Sequence, residues 1–189
     1  MDWFADHGFD AWTMDSEGYG RSDKHRDINF DISNGADDLA AGSEYILKHS
    51  SAKSLLMYGV SSGALKAALF TERYPERVCK LALDAFVWTG EGSSTLEQRK
   101  KKLPEFLVKN RRPIDRAFVH SIFHRDHPGT ADETTVEAFA DAILTLDDSM
   151  PTGTYVDMHS KLPFLEPKNI TVSCIILRGE HDGTAAWTT

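Results

Sequence analysis

The chain of 189 residues predicts an α/β domain, a mostly parallel sheet with flanking helices plus an inserted helical segment. Three observations carry this reading. Short apolar runs of strand length alternate with segments of helical period. One strand passes directly into a helix through Gly59-Val-Ser61-Ser-Gly63. The strand pattern then lapses between Gly90 and Pro167 and resumes at Val172.

In chain order, Asp2–Asp6 reads as the end of a helix stopped by His7-Gly8, and Phe9–Met14 reads as a strand ending at Asp15. The loop from Asp15 to Asp23 follows. Its Gly18-x-Gly20 lacks a third glycine and opens no helix, which excludes a dinucleotide fingerprint. Asn29–Ser33 leads into a helix carrying Ile32, Ala36, Leu39, Ile46 and Leu47 at helical spacing, and this stripe is expected to cover a sheet. Leu55–Tyr58 is a strand and Ala64–Arg73 a helix ended by Pro75, because proline disfavours helical geometry in the residue before it. Val78–Leu83 is a buried strand with Asp84 just past its end. Strands alternating with helices imply a parallel sheet covered on both faces.

From Gly90 to Pro167 no strand is expected. Helices are expected at Thr95–Leu103, Pro113–Phe123, Thr134–Leu146 and Tyr155–His159, separated at Pro104, Pro113, Pro128-Gly129 and Pro151. Val172–Leu177 restores a strand, and Arg178–Gly183 forms a loop carrying Asp182. The chain therefore divides into a first core part (1–89), a helical insertion (90–167) and a second core part (168–189).

Composition excludes several classes. The hydrophobic content of 41% supports a core, and a net charge of −8 with interspersed signs argues against non-specific nucleic-acid binding. The basic runs at Arg99–Lys102 and Arg111-Arg112 read as solvated helix faces. No apolar run reaches the roughly 20 residues of a membrane span, and Met1-Asp2-Trp3-Phe4 does not open a signal peptide, so no membrane partner and a cytoplasmic location are expected. Cys79 and Cys174 fall in strand-like runs and read as buried free thiols. Oligomeric state and substrate identity are not encoded in any of these features.

The chemistry gathers at strand ends. In an open parallel sheet, functional groups sit at the carboxyl ends of the strands, which Asp15, Ser61, Asp84 and Asp182 all occupy. In the elbow, Gly59 and Gly63 are expected to let neighbouring backbone approach closely, while Ser61 is strained with its hydroxyl lifted above the sheet. A serine hydroxyl becomes a nucleophile only when a base removes its proton, and a histidine base needs a carboxylate to fix its tautomer. Ser61 and Asp182 supply two of those three parts. His120 and His124, four residues apart and followed by Asp126 and His127, share a helix face, but no glutamate lies between them as a zinc-protease motif requires, and no metal or cofactor is assigned.

Asp15…Gly18-Tyr-Gly20-Arg-Ser22, Gly59-Val-Ser61-Ser-Gly63, Arg73-Tyr-Pro-Glu-Arg-Val78 and Leu177-Arg-Gly-Glu-His-Asp182-Gly occur in an order that resembles the α/β-hydrolase family across nearly the whole chain. The resemblance implies a triad in chain order Ser, acid, His, with Ser61 as nucleophile, Asp182 as acid and Asp84 as the alternative acid. It implies one oxyanion donor at the backbone N–H of Ser62, residues 90–167 as the family's cap, and hydrolysis of an ester or related acyl bond of a small molecule through an acyl-enzyme. Serine at the elbow argues against the dehalogenases and epoxide hydrolases, which use aspartate there. The alternative is a catalytically silent binding module or an inactive fragment. The family's histidine follows the acid by a few tens of residues, whereas no histidine follows His181; His181 and His7 are poor substitutes. The family's other oxyanion donor lies before its first helix. The expectation is therefore an internal fragment lacking the N-terminal strands and the C-terminal histidine region. The family's third strand lies between its fourth and fifth, so its loss is expected to open the sheet.

Overall fold

A computed structural model describes residues 1–26 and 29–184. Helix α1 (Asp2–Asp6) is a single short turn-and-a-half that ends at Gly8, where φ is +84° and a side chain would be strained. The predicted strand Phe9–Met14 does not form. This segment lies along helix α2 (Ile32–His49), with the Trp12 ring 6.1 Å from that of Tyr45 and the Met14 sulfur over Gly42. An alternating apolar pattern becomes a strand only beside a hydrogen-bonding neighbour, and none of the described strands pairs with it.

Helix α2 starts at Asp31, whose carboxylate accepts from the Asn34 N–H (2.8 Å) while the Asn34 side chain accepts from the Asp31 N–H (3.2 Å). This reciprocal cap satisfies two donors that the first turn would otherwise leave unpaired. A third, the N–H of Ile32, donates to the buried Asp157 carboxylate at 2.9 Å.

Strand β1 (Leu55–Val60), helix α3 (Ser62–Arg73) and strand β2 (Val78–Asp84) follow as the alternation requires. The helical segment contains α4 (Ser94–Lys100), α5 (Leu103–Leu107), α6 (Arg116–His124), α7 (Glu133–Leu144) and α8 (Gly153–Ser160). Pro104 opens α5 rather than breaking a helix, since proline at the first turn loses no hydrogen bond. Contrary to expectation the segment also holds strands β3 (Arg111–Pro113) and β4 (Ser149–Pro151), paired antiparallel with Arg112 opposite Met150. Three residues are too few to show a period of two, and Pro113 and Pro151 sit at ribbon ends where a missing N–H is tolerated. Strand β5 (Ser173–Leu177) completes a parallel sheet of order β1-β2-β5.

Packing is one-sided. Ala64, Ala67 and Ala68 of α3 cluster with Leu81 and Leu83 of β2, small side chains that let the helix lie close on the sheet. The larger Leu65, Leu69 and Phe70 cluster with Ile32 and Ala36 of α2. The stripe of α2 thus joins α3, stacking both helices on the same side. The expected cover on the second face is not found among the described residues. Leu56, Tyr58, Val60 and Ile175 remain about half exposed there. Cys79 and Cys174, free as expected, are exposed rather than buried; Cys174 lies in register with Leu81 on the side that α3 covers, but on the edge strand, where Ile176 is exposed as well. No helix among the described residues is long and apolar enough to cross a membrane.

The helical segment is tied to the glycine loop 15–23. The Arg111 guanidinium donates to the Gly18 carbonyl (3.0 Å) and the Ser149 carbonyl (2.7 Å), and Asp147 accepts from the Gly20 N–H (2.9 Å) while pairing with Lys24 (2.6 Å). Lys66 of α3 is buried beneath this loop, its ammonium 4.8 Å from the Phe30 ring centroid and 5.2 Å from that of Tyr19. Burial pushes it down to about 8, partly offset by Asp38 and Asp31.

A lowered lysine value means that the unfolded chain binds more protons than the folded chain between about pH 8 and the usual lysine range. Unfolding free energy should therefore rise with pH in that window. Compared with Lys66→Met, the unsubstituted chain should gain about 1–2 kcal/mol between pH 8 and pH 9.5 in urea unfolding, and a constant difference would show that Lys66 keeps its ordinary affinity for protons.

Candidate active site

Val60, Asp84 and Leu177 lie in register across the three strands, so the chain leaves all of them at one level. Ser61, Ala85 and Arg178 are the next residues, and neighbouring strands are about 4.8 Å apart. The sheet thereby gathers the elbow, the end of β2 and the loop that carries Asp182 along one rim. Asp15 is not held at this rim by a strand. Its carboxylate accepts from the Arg21 N–H at 3.0 Å and presses on Gly20, so that it organises its own loop.

The elbow has the strained geometry that its sequence predicts. Ser61 has φ 53° and ψ −121°, a region that L side chains rarely adopt. Two backbone contacts hold it there: its N–H donates to the Asp84 carbonyl at 2.8 Å, and its carbonyl accepts from the Ala64 N–H at 2.9 Å. Gly59 is required because a Cβ there would stand 2.4 Å from the Gly63 carbonyl oxygen and 2.8 Å from the Ala64 Cα. The expectation for Gly63 is corrected, since a Cβ at that position meets nothing within 4 Å. The close approach is made by Gly63's carbonyl group onto Gly59, so only one of the two glycines is sterically needed.

The Ser61 side chain is exposed at the rim. Ser62 is the first residue of α3, where backbone N–H groups point out of the helix and carry partial positive charge. Among the described residues no backbone or side-chain acceptor takes the Ser62 N–H. Beside the elbow, Ala85 has a positive φ of 49° and donates its N–H to the Leu177 carbonyl at 3.0 Å, joining β2 to the end of β5.

Asp84 and Asp182 are held differently. The Asp84 carboxylate accepts from the Tyr58 hydroxyl at 2.8 Å on the open face of the sheet, and this hydrogen bond raises the phenol above its ordinary value. Asp182 sits in a tight turn: its N–H donates to the Gly179 carbonyl (3.1 Å), its carboxylate accepts from the Thr184 N–H (2.8 Å), and Arg178 donates to its carbonyl (3.1 Å). The same loop rests on the helical segment, with Ser93 Oγ donating to the Gly183 carbonyl at 2.8 Å and the His181 ring stacked 3.8 Å from that of His127. Neither Tyr58 nor His127 has a local sequence signal, because each acts through a partner distant in the chain.

The histidines lie elsewhere. His7 and His49 bond carbonyls one turn back on their own helices, His159 does the same to Tyr155, and His181 faces His127. Among the described residues no imidazole is hydrogen-bonded to Ser61.

The family described as "Serine aminopeptidase, S33" matches residues 1–186, and the chain belongs to that family. A comparison with curated protein sequences returned no match. Among solved structures the chain is similar to a membrane phospholipase A described as a bacterial virulence factor, with a TM-score of 0.61, 18% identity, 92% of this chain covered and 55% of that one. It is also similar to a thermophilic esterase from Thermogutta terrifontis (TM-score 0.58, 17% identity, 90% of this chain and 61% of that one). An extracellular α/β-hydrolase from a Paenibacillus species matches at TM-score 0.54 and 13% identity over 95% of this chain and 83% of that one. The fold is thus that of the α/β-hydrolases, of which this chain carries an incomplete set of strands among its described residues. It spans little more than half the length of the first of these proteins.

The two elbow glycines should respond oppositely to a methyl group. Gly59→Ala drives Cβ into backbone that cannot move without breaking the turn, and it should lower unfolding free energy by about 2–4 kcal/mol. Gly63→Ala places a better helix former in open space and should be neutral or stabilising by up to about 1 kcal/mol. Urea titration of both variants checks this, and equal destabilisation would refute the assignment of the contact to Gly59.

Proposed function

We propose that this chain carries the nucleophile and acid of a serine hydrolase that cleaves an ester or related acyl bond of a small molecule through an acyl-enzyme. The observation that carries this reading is the strained Ser61 at the carboxyl end of β1, exposed at the start of α3 beside an uncommitted Ser62 N–H. Ser61 Oγ attacks the acyl carbon. The Ser62 N–H donates to the oxygen on which negative charge develops, and the positive end of α3 favours that charge before the substrate arrives.

Asp182 is the acid, held on a turn anchored by Thr184 and Arg178, and it orients the imidazole that removes the serine proton. Asp84, whose carboxylate accepts from Tyr58 on the open face of the sheet, is the alternative acid. The chemistry requires an imidazole within hydrogen-bond reach of Ser61, a role that none of the described histidines fills in this arrangement. Residues 90–167 act as the cap that encloses the substrate, and their contacts with loops 15–23 and 178–184 support that role. The family description and the esterase and phospholipase neighbours support hydrolysis as the reaction class, with ester and aminoacyl amide bonds as the two groups to compare.

Reaction with a fluorophosphonate probe, after circular dichroism has established that the chain is folded, tests the nucleophile. In protein that supplies an imidazole at Ser61, a single adduct on the peptide containing Ser61, absent in Ser61→Ala, is expected, together with p-nitrophenyl ester turnover that falls at least about 10³-fold in that variant. A folded chain whose esterase activity survives Ser61→Ala would overturn the assignment. Without that imidazole the folded chain should give no adduct, whereas protein that holds one at Ser61 and still shows neither adduct nor turnover would point to the silent binding module.

A further inference from the structure

We propose that His120 Nδ1, His124 Nε2 and the Glu133 carboxylate form a binding site for a divalent transition metal ion of the zinc class, joining helices α6 and α7. The two histidines lie one helical turn apart on α6, so their rings project from the same face, with centroids 6.2 Å apart. Glu133 is the first residue of α7, and the packing of α7 against α6 brings its carboxylate to them. Its oxygens stand 3.9 Å from His120 Nδ1 and 3.1 Å from His124 Nε2, and the three ligand atoms fall within 4.8 Å of one another. Metal bonds of about 2.0–2.1 Å in a tetrahedral site require ligand atoms about 3.3 Å apart, a spacing these distances bracket. Small side-chain rotations on a half-exposed surface close the remainder, leaving the fourth position for solvent.

Two further observations distinguish this cluster from ordinary surface ion pairs. First, His124 Nε2 is buried and makes no hydrogen bond, although Glu133 lies 3.1 Å away. The two groups are adjacent without pointing at each other, as ligands converging on a third atom are. Second, the other nitrogen of His120, Nε2, is 2.8 Å from the Glu137 carboxylate, and Glu137 is in turn held by Arg116. A ligating histidine whose far nitrogen donates to a carboxylate has its tautomer and ring orientation fixed for metal binding. Imidazole with carboxylate suits zinc and its neighbours, whereas calcium and magnesium prefer an all-oxygen shell. The histidine pair is visible in the sequence, but Glu133 is supplied by the next helix and no local motif announces it.

The site would act on the connection it closes. Residues 125–132 run between the ligands His124 and Glu133, and within them His127 stacks on His181 while Asp126 accepts from Thr95 at 3.2 Å. An ion bridging the ends of this connection would hold it against the loop of Asp182. The binding claim itself does not depend on the chemistry of Ser61.

The test is isothermal titration of the chelator-treated full chain with zinc chloride alone. One ion per chain with a micromolar dissociation constant is expected, and His120→Ala, His124→Ala and Glu133→Gln should each weaken binding at least about tenfold. His49→Ala, which alters a histidine on α2 outside the cluster, should leave binding unchanged. Cobalt substitution should produce the visible absorption of a four-coordinate ion, lost in His124→Ala. Zinc should also raise the unfolding temperature of the unsubstituted chain but not that of His124→Gln, which serves if an alanine variant does not fold. Absence of binding at millimolar zinc, or binding that survives loss of both histidines, would overturn the proposal.

Discussion

The turn from β1 into α3 is the constraint on which most of this structure depends. Gly59 must lack a side chain so that the Gly63 carbonyl and the Ala64 Cα can close on it, and that closure forces Ser61 to a positive φ. The strain is held by the Ser61 N–H bonding the Asp84 carbonyl, which also sets the end of β2 beside the end of β1. A single backbone contact therefore links the strained Ser61, the start of a helix and the end of the strand that precedes the helical segment. Strained residues of this kind persist only where the surroundings over-determine them, and the alanine face of α3 lying close on β2 supplies that rigidity.

The helical segment is joined to the sheet domain through polar contacts of unusual sequence range. Arg111 and Asp147 grip the backbone of the loop 15–23, and Asp157 of α8 receives the N–H of Ile32 at the start of α2 while pairing with Lys161 at 2.8 Å. Asp157 is buried, so its charge is tolerable only because a helix N-terminus and an ammonium meet it. Ser93 and His127 hold the Asp182 loop from the other side. Residues of the helical segment thus hold both the loop 15–23 and the loop that carries Asp182.

Much of the core was legible because its signals are local. The strand of Leu55–Tyr58 and the helix of Ala64–Arg73 announce themselves by period, Pro75 marks the end of the helix, and Gly59-x-Ser61 is a turn that few other sequences can make. The failures have a common origin in contacts that no local window contains. Phe9–Met14 has the pattern of a strand but no neighbour to bond. Arg111–Pro113 and Ser149–Pro151 have no strand pattern but find each other across nearly forty residues. Gly63 looks equivalent to Gly59 in the motif, yet only one of the two faces backbone.

The sequence by itself determined the fold class, the alternation of β1, α3 and β2 with the later return of β5, and the placement of Ser61 and Asp182 on the connections that follow β1 and β5, because periodicity and turn chemistry act over a few residues. Tertiary structure alone decided which face of the sheet is covered, which carboxylate is already engaged by Tyr58, and which acid from α7 reaches the histidines of α6. Those outcomes depend on the relative placement of elements far apart in the chain. Burial, hydrogen-bond partnership and ligand geometry are properties of that placement rather than of any residue taken singly.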